Sequence, residues 1–196
     1  MSPSTAEALA RRATGALFLV VFGSGWLALG LAATHWLTLP TGLALGLAML
    51  ALVGTAGWVL RQTKPWRPQT RGPEEAAQAR RQGRLFAFLG MGEGGAIFLV
   101  NKLLPQHGLA QYVLPAMALI VGLHFFPLAR LFRYRGHYLT GGAMVLWTLG
   151  CLLLPPTMWQ AGVAWGTGAI LWLSAGYALG RAVRKLQPCT LNSSHA

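Results

Sequence analysis

Two ionisable residues stand inside long apolar runs: Glu93, in LGMGEGGAIFLVNK, and His124, in VGLHFFPLAR. The chain has no Asp, and its other acids, Glu7, Glu74 and Glu75, lie in polar stretches. A carboxylate and an imidazole brought together can exchange a proton, which is the composition of a proton relay, a polar ligand clamp or an acid and base pair. Left facing hydrocarbon, a charge on either costs kilocalories, so each is expected to face protein, water or a ligand. The remaining titratable groups do not assemble a rival centre. Cys151, in an apolar run, and Cys189, in the tail, make neither a disulfide framework nor a CxxC metal site. His35, His107 and His137 fall at the ends of apolar runs, at no matched depth. No metal site and no cofactor is therefore expected.

The elements that must position Glu93 and His124 follow from hydropathy. Of 196 residues 54% are hydrophobic and 10% charged, with a mean hydropathy of +0.48. A soluble domain carries about a quarter charged residues, so this chain has too little polar material to cover a water-facing surface. Between Thr14 and Leu60 there is no Lys, Arg, Asp or Glu at all. Apolar runs near the ~20 residues needed to cross a bilayer fall at 13–34, 42–60, 85–104, 109–129, 138–154 and 161–180. The expected fold is thus all-α, a single transmembrane domain of six helices over residues 1–196, with a basic loop at 61–84 and a tail at 181–196. Pro40, Pro105, Gly108 and Pro155-Pro156 separate the runs. Arg11-Arg12 before an apolar run has the look of a signal peptide, but the run from Ala13 to Ala33 is about twice a signal core. It is expected to be a retained helix.

Fifteen of the sixteen Lys and Arg residues fall on one side if the runs alternate across a membrane, and Lys102 alone falls on the other. The positive-inside rule then places both termini in the cytoplasm, with the cell inner membrane as the expected location. The same distribution explains the net charge of +12 without nucleic acid, which is not expected as a partner. The partners expected are the lipid bilayer, anionic headgroups on the basic cytoplasmic loops, and a second copy in a homodimer.

In this topology Glu93 lies roughly 12 Å, and His124 roughly 9 Å, from the same cytoplasmic boundary. The short connection between their runs makes the two helices antiparallel neighbours. The expected ligand or proton site is therefore Glu93 with His124; Asn101, Ser24, Thr167, Ser174 and Tyr177 are secondary polar positions, and no catalytic residue is assigned. Gly90, Gly92, Gly94 and Gly95 surround Glu93, and the expectation for them is a close crossing with a neighbouring helix. Gly42 and Gly46, Gly162 and Gly166, and Gly176 and Gly180 repeat the same spacing.

The strings EEAAQAR and GSG resemble fragments of intramembrane proteases, but the first has the wrong spacing and the second lacks a fitting serine and histidine pair. VGLHFFPLARLF followed by YLTG, within Val121 to Gly141, resembles an uncharacterised family of small multi-pass bacterial membrane proteins. That resemblance implies a bacterial multi-pass protein and carries no activity. The leading expectation is a small-solute transporter or permease, coupled to protons through Glu93 and His124, rather than an enzyme. The alternatives are an intramembrane enzyme acting on a lipid or prenyl-type substrate and a structural or accessory membrane subunit.

Overall fold

In the computed structural model, residues 1–66 and 72–191 are described, with side chains for all of these except 75 and 187–191. They form six α-helices: α1 Pro3–Ala33, α2 Leu39–Thr63, α3 Pro73–Gln106, α4 Val113–Phe132, α5 Gly136–Cys151 and α6 Pro156–Leu191. Short 3-10 turns, Lys64–Trp66 and Ala110–Tyr112, follow α2 and precede α4. Four helical stretches are long and apolar enough to cross a membrane: Pro3–Ala33, Leu39–Trp66, Ala76–Gln106 and Ala110–Phe132.

Local chemistry sets the ends. The Ser2 hydroxyl accepts from the Thr5 amide at 3.3 Å to start α1, and Thr38 and Thr41 cap the start of α2 reciprocally. Pro3, Pro40 and Pro73 occupy the first turns of α1, α2 and α3, where a missing amide costs nothing. Left-handed residues close the turns after α1 (His35, φ 58°), α3 (Gly108, φ 73°) and α4 (Arg133, φ 50°). The helices overrun the expected apolar runs because those runs are bounded by hydropathy, and a helix continues through polar residues that lipid would not favour. Thus α1 begins at Pro3, α3 begins at Pro73 and includes Pro105, and α6 continues to Leu191.

The centre of the bundle is α1 against α6, running antiparallel. Gly23 meets Trp172, Leu27 meets Gly168 and Gly30 meets Trp165, so partners fall in number along α6 as they rise along α1. One cluster joins Leu9, Ala13, Ala16 and Val20 of α1, Ala56 and Val59 of α2, and Ala175, Leu179, Ala182 and Leu186 of α6. A second joins Trp26 of α1, Ala118 and Phe125 of α4, Met144 and Cys151 of α5, and Val163, Ala164 and Leu171 of α6. The beginning of α1 therefore lies beside the end of α6. Around this pair, α2 rests on α1 and α6, while α4 and α5 rest on α6 and on each other. The helix backbone of α3 adjoins only α4, and no described side chain of α3 is buried.

The glycines that permit close approach are not the ones the spacing singled out, apart from those near the start of α6. A Cβ at Gly90, Gly92, Gly94, Gly95, Gly42, Gly46, Gly176 or Gly180 would meet nothing within 4 Å, so the expected crossing at the Glu93 glycines is absent among the described residues. The expectation fails because the spacing of small residues says nothing about whether a bulky partner faces them. Gly122 and Gly141 make the α4 to α5 crossing: a Cβ on Gly141 would stand 2.6 Å from the Gly122 carbonyl oxygen. Gly141→Leu is expected to lower stability by about 1–3 kcal/mol through overpacking, whereas Gly142→Leu, into open space, leaves it nearly unchanged. Thermal unfolding of the two purified variants in one detergent measures the difference.

Candidate polar site at the α3 and α4 contact

From Leu89 onward, the half-buried residues of α3 are Leu89, Glu93, Ala96, Ile97, Val100 and Leu104, spaced by three or four. That stripe is the face laid on α4, its one helical neighbour, and Glu93 sits within it. On α4, Met117, Val121 and His124 share one side by helical periodicity. Met117 and Val121 pack on the cluster containing Trp26, and the Asn101 amide of α3 donates to Met117 Sδ at 3.3 Å. His124 therefore lies where α3 meets the side of α4 that borders the second cluster.

His124 Nε2 and Glu93 Oε2 are 3.5 Å apart, with the side chains 12% and 22% exposed respectively. This is ion-pair distance, well beyond the ~2.7–2.9 Å of a tight charge-assisted hydrogen bond. Neither the second carboxylate oxygen nor His124 Nδ1 has a hydrogen bond, and neither is sealed, since the one buried unsatisfied side-chain atom among the described residues is Thr167 Oγ1. The pair is thus loosely closed and partly exposed. About two turns from the pair, Phe18, Phe86 and Phe132 join α1, α3 and α4 through ring contacts with centroids 6.3 and 5.9 Å apart.

The secondary polar positions lie elsewhere. The Ser24 hydroxyl donates to the Val20 carbonyl at 2.7 Å and accepts from Trp172 Nε1 at 3.3 Å, tying α1 to α6. Ser174 and Thr140 share a hydrogen bond of 2.9 Å between α6 and α5. Tyr177 is exposed and its hydroxyl accepts from Arg181 at 3.0 Å. Asn101 donates to the Ile97 carbonyl at 2.9 Å as well as to Met117. The Ser24, Ser174 and Asn101 to Met117 bonds hold helices together. None of these residues contacts Glu93 or His124 through a described hydrogen bond. Among the described residues no group of three His, Cys, Asp or Glu side chains is placed to hold a metal.

Sequence reasoning missed the partners that make these polar residues useful: Trp172 for Ser24, Thr140 for Ser174 and Met117 for Asn101. No spacing rule pairs positions separated by so much chain. His137, placed by the sequence at the end of an apolar run, is ringed by Phe125, Phe132 and Tyr134 at the start of α5. No known family, curated protein or solved structure matches this chain.

Thr167 is fully buried and its hydroxyl is unsatisfied, an arrangement that costs about 1–3 kcal/mol. Thr167→Val keeps the shape and removes the orphan group. It should raise the unfolding midpoint, and a lowered midpoint would show that the hydroxyl has a partner in solution.

Proposed function

We propose that the chain is a multi-pass protein of a bacterial inner membrane, crossing six times with both termini in the cytoplasm. Four helical stretches of sufficient length and apolarity support this. So does the pairing of α6 along α1 from Gly23 to Gly30 and beyond, because a helix that lies antiparallel along a crossing helix crosses with it. The 16 residues of α5 reach ~24 Å, short of a hydrocarbon core ~30 Å thick, and local thinning of the bilayer accommodates the difference. Arg11, Arg12, Arg61, Arg84, Arg130 and Arg181 all fall on the cytoplasmic side in this orientation, as the positive-inside rule requires. Cysteines introduced at Ser4 and at Gln106 are expected to react with an impermeant maleimide from opposite faces of sealed inverted vesicles. Labelling of both from one face would defeat the orientation.

Within that bilayer the reading best supported is a small-solute transporter or permease in which Glu93 and His124 form a proton-exchanging site. The observation that carries it is the 3.5 Å approach of the two side chains with their remaining polar atoms unpaired and open. In hydrocarbon such atoms need a polar occupant, which a proton, water or solute supplies. Protonating Glu93 removes the attraction to a protonated His124, and among the described residues the Phe18 to Phe86 ring contact with α1 is all that ties α3 to a helix other than α4. Proton exchange therefore acts on the contact that fixes α3, and movement of α3 against α4 disrupts little else.

In sealed proteoliposomes with an imposed pH gradient, Glu93→Gln and His124→Gln are each expected to cut gradient-driven uptake at least tenfold, the scale of one lost charge interaction, while the variants keep their helicity and elution. Undiminished uptake of every solute tested would sink the transport reading.

The partial exposure of Glu93 favours one second reading, an intramembrane enzyme that admits a lipid or prenyl-type substrate sideways, with Glu93 as acid and His124 as base or orienting group. Turnover of a prenyl phospholipid in proteoliposomes, lost in Glu93→Gln, would favour it over transport. A Glu93→Gln variant intact in both assays would leave a structural hydrogen bond as the role of the pair.

A further inference from the structure

An open cleft of about 650 Å³ lies on α3, lined among the described residues by Ala77, Arg80, Gly83, Arg84 and Ala87. Their spacing places all five on one side of the helix, turned away from the stripe that meets α4. Arg80 and Arg84 have neither an ion pair nor a hydrogen bond, and Glu74, in the first turn of α3, is exposed and likewise without an ion pair. Two guanidinium groups one turn apart thus share this open cleft, and the other described residues that line it, Ala77, Gly83 and Ala87, carry at most a methyl group. They are positioned to take a tetrahedral phosphate between them, the anion that forked guanidinium donors fit best.

The same side of α3 continues past the cleft through Gly90 and Gly94, where a Cβ would meet nothing within 4 Å. From Arg80 to Gly94 the furrow runs ~21 Å along the helix, polar at one end and smooth and apolar at the other. The apolar run begins at Leu85, so in the proposed orientation the arginines stand at the level of cytoplasmic headgroups and the glycines at the level of acyl chains.

We infer that this face of α3 binds an anionic glycerophospholipid, its phosphate between Arg80 and Arg84 and one acyl chain along Gly83, Ala87, Gly90 and Gly94. The amphipathic shape selects a lipid over a soluble anion, which would use the arginines and leave the furrow bare. The inference rests on the membrane reading and narrows its general attraction for anionic lipid to one site.

The test is native mass spectrometry of the full chain in mild detergent, titrated with phosphatidylglycerol or phosphatidylcholine. The wild-type protein should retain phosphatidylglycerol preferentially. Arg80→Gln/Arg84→Gln should weaken that binding about thirtyfold, from the usual worth of two arginines at an anionic surface, and leave phosphatidylcholine unchanged. Arg130→Gln/Arg135→Gln, which removes as much charge from the α4 to α5 turn, should change it less than twofold. Equal losses in the two double variants would mean diffuse surface charge and overturn the site. So would displacement of phosphatidylglycerol by millimolar inorganic phosphate, which would assign the arginines to a soluble anion. Gly90→Leu should lower lipid retention without altering the mass measured by light scattering. If it instead converts a dimer to a monomer, the furrow belongs to a second copy of the chain and the lipid assignment is wrong. Alkaline extraction of native membranes separates the two levels: a chain that stays in the membrane and shows no lipid preference overturns the site alone, and a chain released to the supernatant overturns the membrane reading.

Discussion

The antiparallel contact of α1 with α6 constrains everything else in the bundle. It depends on glycine meeting indole: Gly23 and Gly30 of α1 receive Trp172 and Trp165 of α6, and Gly168 of α6 receives Leu27 in return. Each missing side chain makes room for a bulky one from the facing helix, so the two helices approach closely over several turns. Trp172 then uses its Nε1 proton to reach the Val20 carbonyl at 3.2 Å and the Ser24 hydroxyl. In the proposed membrane setting there is little hydrophobic reward for bringing apolar helices together, and tight packing with a few interhelical hydrogen bonds would supply the association. The first and last helices are therefore the right pair to make it, because their contact closes the chain and fixes where α2, α4 and α5 can dock.

One helix escapes that closure. α3 has no buried side chain among the described residues and rests mainly on α4, yet it carries the single acidic residue found inside an apolar run, the densest group of glycines and the two arginines of the open cleft. A helix kept at the periphery loses packing energy, and its glycines lower its helical preference further. What offsets this along α3 is the Leu89 to Leu104 stripe, the Asn101 contact with Met117 and the approach of Glu93 to His124. The polar chemistry is thus concentrated on the element with the least packing to hold it. Regions that move in function are drawn from the weakly packed end of a structure.

Helix number and order were legible because long uncharged runs separated by Pro, Gly and basic clusters leave few alternatives. The juxtaposition of Glu93 and His124 was legible for a similar reason: a connection as short as residues 107–112 forces α3 and α4 to lie antiparallel, and counting from their shared end puts the two residues at one depth. Helix ends were less legible, since polar flanks such as residues 73–84 continue a helix without any change in hydrophobicity. The glycines were misread, because small-residue spacing marks a surface able to accept a neighbour while the neighbour itself is chosen by residues far along the chain. Gly90 and Gly94 have the spacing and no partner among the described residues; Gly122 and Gly141 were not singled out by it and form the crossing. Nothing local in either helix distinguishes the two cases.

The periphery of α3 also bears on what the Glu93 and His124 pair can do. A buried ion pair enclosed on every side is often no better for stability than a well-packed apolar pair, because desolvation consumes most of the Coulomb attraction. At 3.5 Å and partly exposed, this pair lacks both the geometry and the enclosure of a structural clamp. Structural need alone would be met by a leucine on each helix, which would extend the Leu89 stripe without interruption. The proposed proton exchange gives the polar residues a reason to stand there: in that reading, the weak contact is a requirement, since a site that must gain and lose a proton cannot be held shut by the interaction that proton controls.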